Sequence, residues 1–109
     1  MSDAEERRFP RFDSKLRVEV RSELEPAIHG TILDLSTAGI FVVSESRLPV
    51  GTTCELAIEG ADPDGPESIG AIGRVAHVQM DGMGIEITEI DLEDHEELRR
   101  LAAAWEASH

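Results

Sequence analysis

Residues 28–45 read IHGTILDLSTAGIFVVSE, and the fold turns on how DLSTAG at 34–39 divides that stretch. IHGTIL (28–33) before it and GIFVVSE (39–45) after it are rich in β-branched and apolar residues, so both read as strands. Between them stand an acid, a hydroxyl and a glycine. Asp34 and Ser36 can bond their own backbone in a turn. Gly39 can take a positive φ or let another group approach closely. DLSTAG is therefore the connection between two strands, with polar groups gathered at one corner.

Working outward, LRVEVR (16–21) alternates, with Leu16, Val18 and Val20 on one face and Arg17, Glu19 and Arg21 on the other. That is the pattern of a half-buried strand. TCELAIE (53–59) is a further strand, reached through the loop SRLPVG (46–51). IGAIGRVAHVQM (69–80) is a long strand interrupted by glycine, where a bulge is expected. Asp81-Gly82 signals a tight hairpin turn, and GIEIT (84–88) follows with Ile85 and Ile87 facing in. GADPDGPES (60–68) holds two Pro and two Gly in nine residues and reads as a mobile loop.

The period then changes. In DLEDHEELRRLAAAWEASH, Leu98, Leu101, Ala102 and Trp105 fall at i, i+3, i+4 and i+7, one apolar stripe on a helix expected at about 91–107. Acids crowd its start, as the helix dipole favours. The fold class expected is all-β with a C-terminal helix, a small six-stranded antiparallel barrel. Residues 1–12, charged and broken by Pro10, are expected to form a flexible arm, and 13–109 the barrel and helix.

The 109 residues suit one domain with one core. Aromatics are few (Phe9, Phe12, Phe41 and Trp105), so the core is aliphatic. Net charge is −13 and unevenly spread. Residues 1–21 hold six basic and five acidic side chains, or +1; the other 88 hold four and eighteen, or −14. Such a chain repels nucleic-acid polymers and anionic membrane. MSDAEERRF lacks an apolar signal-peptide core, and no apolar run reaches bilayer length. Cys54 is the single cysteine, expected as a small hydrophobe in its strand. A reducing cytoplasm fits these features, with the protein a monomer or weak dimer.

Catalytic and metal chemistry find little support. His29, His77, His95 and His109 are scattered, with no i, i+4 pair and no second cysteine to complete a zinc site. No GxSxG motif presents Ser36 as a nucleophile. DLEDHEE lacks the central glycine of a calcium loop. No enzyme, no cofactor and no metal are expected.

Two stretches remain. RRFPR (7–11) places Arg7 and Arg11 four apart, with Arg8 between them. Guanidinium forks suit phosphate oxygens and the O6/N7 edge of guanine. The Asp34 carboxylate suits the opposite guanine edge, which presents N–H donors, and the Ser36 hydroxyl can donate or accept. Gly39 lets the chain approach a flat base. Together they hold the parts of a guanine-nucleotide clamp.

On these residues the sequence resembles the PilZ domain family. RRFPR matches its RxxxR motif through Arg7 and Arg11, and DLSTAG matches (D/N)xSxxG through Asp34, Ser36 and Gly39. LPVG (48–51) is similar to its LPxG loop, and GRVAHV with GMGIEI to its last hairpin, so the resemblance covers roughly 6–105. It implies a six-stranded PilZ-type barrel with a C-terminal helix, in a bacterial cytoplasmic receptor for cyclic di-GMP. Arg7 and Arg11 would grip phosphates and guanine edges, and Arg8 would add a phosphate or stacking contact. Asp34 and Ser36 would hold a guanine, and Gly39 would leave it room. Two positions depart. Glu6 precedes the arginine motif, where the family sets one ligand or a stacked pair, and Ile87 stands where the last strand often has Phe. With no output domain in the chain, the expected output is an unidentified protein partner, in a process such as motility or polysaccharide export. The alternative is a PilZ-like protein-interaction domain that does not bind the nucleotide and docks a partner through its acidic surface.

Overall fold

Alternation of apolar and polar side chains decides which face of each strand enters the core, and closure of the sheet follows. A computed structural model describes residues 16–59 and 68–108 of the chain. In chain order the strands are β1 (Leu16–Arg21), β2 (Ile28–Leu35), β3 (Gly39–Val43), β4 (Thr53–Glu59), β5 (Ser68–Gln79) and β6 (Gly82–Glu89). A single helix, α1 (Leu92–Ser108), follows. The strands form a closed antiparallel barrel in the order β1-β2-β3-β6-β5-β4, with β4 pairing back onto β1. The expected arm at 1–12 lies outside the described residues.

β1 and β4 coincide with the stretches whose alternation is cleanest. Three of the differences from the sequence expectation have a reason in pairing. β2 continues through Asp34 and Leu35, because both find partners in β3. β3 stops at Val43, because its last β6 partner is Gly82; Ser44 N–H instead donates to the Asp81 carbonyl at 3.1 Å. The hairpin turn falls at Met80 and Asp81 rather than 81–82, and Gly82 is already paired with both Val43 and Gln79. The bulge expected in β5 appears as two register shifts, between Ile72 and Gly73 and between Val75 and His77.

Inside the barrel, Val18, Val20, Ile32, Val42, Leu56, Ile58, Val75 and Ile85 are buried. Cys54 joins them, and burial pushes its thiol above the ordinary range. Leu48 of the LPVG loop is also fully buried, with its N–H on the Met83 sulfur at 3.5 Å. The helical stripe behaves as its spacing predicts: Leu98, Leu101 and Trp105 are buried, and Ala102 packs partly against them. Fully burying one such Leu contributes about 1.5–3 kcal/mol. α1 runs from near Gly70 of β5, which Asp94 approaches, toward the corner at 34–37, which Arg99 and Trp105 face. That path sets the helix beside the polar corner between β2 and β3.

Candidate functional site

The corner is made by a bulge. Ile32 pairs with Val42 and Asp34 with Phe41, so Leu33 is the extra residue on β2. Without it, strict alternation would send Asp34 toward the core. With it, Leu33 and Asp34 both face outward while Ile32 and Leu35 stay buried. Bulges re-aim side chains in this way. Asp34 is exposed, and its Oδ1 accepts the Leu35 N–H at 3.0 Å. A carboxylate has about four acceptor sites, so this bond leaves capacity for donors of a ligand.

Ser36 closes the turn. Its Oγ accepts the Ala38 N–H at 3.1 Å and the Gly39 N–H at 3.3 Å, and its hydroxyl donates to the Gly39 carbonyl at 3.3 Å. Its own N–H donates to the same carbonyl at 3.0 Å. The local turn bonding that Asp and Ser favour is therefore present at both residues.

Gly39 resolves in favour of close approach. Among the described residues only Gly51 has a positive φ, at 94°. A Cβ on Gly39 would come within 3.0 Å of the Ile85 carbonyl oxygen and lie 3.3 Å from the Glu86 Cα. Backbone, rather than a flexible side chain, occupies that space. Gly39 is needed where β3 passes β6, before any ligand is considered.

Asp34, Ser36 and Gly39 share an open groove of about 620 Å³ on the outer barrel surface. Its far side is built by Phe41, His77, Gln79 and Glu86. Arg74 reaches Glu86 at 3.3 Å, an exposed pair of little energetic weight. Sequence reasoning missed Phe41 and His77 as site residues. The signal for Phe41 was present, since Ile40 and Val42 point inward and place it outward. His77 follows a bulge, which hides its facing. A second groove, of about 540 Å³, lies on the other side of the corner. Asp34, Ser36 and Thr37 line it together with Arg99, Trp105 and Glu106 of α1.

The remaining expected site residues, Arg7, Arg8 and Arg11, lie outside the described residues, as does Glu6. Among the described residues no group of three or more His, Cys, Asp or Glu side chains is placed to hold a metal. No described helix is long and apolar enough to cross a membrane.

The family model described as PilZ domain matches residues 5–104. Solved structures give the same fold. The PilZ domain of CeSA from a cellulose-synthesizing bacterium superposes with a TM-score of 0.64 at 20% identity, covering 85% of this chain and 94% of that one. The Bacillus subtilis inhibitor of motility, MotI/DgrA, superposes with a TM-score of 0.73 at 20% identity, covering 91% of this chain and 50% of that one. The chain thus spans half the length of MotI/DgrA. No curated protein matches the sequence.

Proposed function

Because the chain belongs to the PilZ domain family, a family of cyclic di-GMP receptors rather than catalysts, we propose that it binds cyclic di-GMP at the β2–β3 corner. Asp34 accepts hydrogen bonds from a guanine edge, Ser36 holds the turn that presents it, and Gly39 keeps β3 tight against β6. Arg7, Arg8 and Arg11 supply guanidinium groups to phosphates and to the O6/N7 edge from the N-terminal side. Ligand capture changes the surface offered to a protein partner, in a bacterial cytoplasm. The observation that carries this reading is the outward turn of Asp34 by the Leu33 bulge, into an open groove beside the corner.

A second reading is favoured by one observation. Ser36 and Asp34 already satisfy local backbone groups, so DLSTAG has a structural use without nucleotide. On that reading the domain docks a basic partner surface through its charge of −13.

Calorimetric titration of cyclic di-GMP at modest salt, with Arg11→Ala and Asp34→Ala alongside, separates the two. Saturable heat in the wild type that disappears in both variants supports the receptor, and the fitted ratio gives one ligand or two. A folded wild type that gives no heat overturns it in favour of the docking domain.

A further inference from the structure

Four residues from four neighbouring strands stand in one row on the outer face. Asp34 of β2 pairs with Phe41 of β3, Phe41 with Gly84 of β6, and Gly84 with His77 of β5. With strands about 4.8 Å apart, the row spans about 14 Å from the Asp34 backbone to the His77 backbone. All four line the groove.

Two glycines of β6 shape the middle of the row. A Cβ on Gly84 would run into the His77 ring, and a Cβ on Gly82 would meet the Val42 carbonyl oxygen first and then two ring atoms of Phe41 at 2.9 and 3.0 Å. Each ring therefore occupies space that a side chain on a β6 glycine would need. The ring planes differ by 22° and the centroids are 6.0 Å apart. That separation falls in the range of an offset, near-parallel ring pair. The two rings border the groove as a near-parallel, offset pair. His77 is exposed and Phe41 half-buried.

We infer that Phe41 and His77 form a stacking platform for a purine base, beside the Asp34 carboxylate that reads its edge. This rests on the cyclic di-GMP reading of the corner and adds a division of labour to it. The platform contributes affinity through the face of the base, which every purine has, while Asp34 contributes identity through hydrogen bonds. The rings are held down by packing before a ligand arrives, so little side-chain freedom is lost on binding. Covering two glycines is also a stabilising arrangement, so a change in stability alone would not test the idea.

The test is the Kd for cyclic di-GMP in His77→Ala, Phe41→Leu and His77→Phe, with a proton NMR titration of the imidazole resonances. Phe41→Leu keeps cover over Gly82 and guards against unfolding. The first two variants are expected to bind about tenfold more weakly or worse. His77→Phe, which keeps a ring, is expected to stay within about threefold of wild type. In the wild type the His77 ring protons are expected to move upfield on titration, beyond any shift of His29 or His95. Binding within about twofold of wild type in both ring-deleting variants overturns the platform and leaves the receptor reading intact. Equal losses in His77→Phe and His77→Ala also overturn it, because the imidazole would then act by hydrogen bonding. No binding by the folded wild type overturns both readings.

Discussion

Replacing Gly39 by Ala asks whether the corner glycine serves the fold or only a ligand. The new Cβ falls within 3.0 Å of the Ile85 carbonyl oxygen, whereas ordinary contact begins near 3.4 Å. No rotamer relieves this, since both partners are backbone. β3 and β6 must part locally by the better part of an ångström. The bond from Ile87 N–H to the Ala38 carbonyl, 2.9 Å long, lies beside the clash and weakens first. Overpacking of this kind costs about 1–3 kcal/mol, and the strained bond to the Ala38 carbonyl adds about 0.5–1.5 kcal/mol. The sum is about 1.5–4.5 kcal/mol, a large part of the roughly 5–15 kcal/mol that holds a small domain folded. Urea denaturation without nucleotide measures it, with an expected fall in Tm of about 10–25 °C in a parallel melt. Thr37→Ala, exposed two residues earlier, is the control and should change stability by less than about 0.5 kcal/mol. A Gly39→Ala loss as small as the control's would refute the close-approach argument.

Ser36→Ala removes the hydroxyl that accepts two N–H groups and donates to a carbonyl; urea denaturation should show a loss of about 1–2 kcal/mol, which no change would contradict. Leu98→Ala opens a cavity between α1 and the barrel, where Leu98 is fully buried, and calorimetry should find a cost of about 2–5 kcal/mol. The Cys54 thiol, raised by burial, is expected to react with a disulfide reagent only as fast as the protein opens. Its raised folded value also sets a sign. This contribution to stability is full below the thiol's ordinary value of about 8.5 and is lost as pH climbs toward the folded value. Cys54→Ala should show less alkaline destabilisation than wild type.

How much of this could be read from the sequence depended on range. LRVEVR and TCELAIE announced their strands because one face of each is buried and the other wet, and the helical stripe ending in Trp105 did the same at its own period. The corner was legible because Asp, Ser and Gly have local backbone uses. Three things were not. The bulge at Leu33 leaves no mark in IHGTIL, since Leu is as good a core residue as Ile; only pairing with Val42 and Phe41 reveals the extra residue. The need for glycine at 39 comes from Ile85, distant in sequence. The platform requires Phe41, Gly82, Gly84 and His77 together, which sheet register alone brings about. Arg7, Arg8 and Arg11 were legible as a motif and stand as proposals for the clamp.

Closure of the sheet carries a last consequence. Every described strand is hydrogen-bonded on both sides, β4 to β1 included. The described strands therefore offer a partner no row of unsatisfied amides of the kind by which open sheets capture extended peptides. On the described barrel wall, recognition runs through side chains, and specificity is written in surface chemistry. The same closure protects the molecule from growing edge to edge into fibrils, so its outer face can vary with little risk of aggregation.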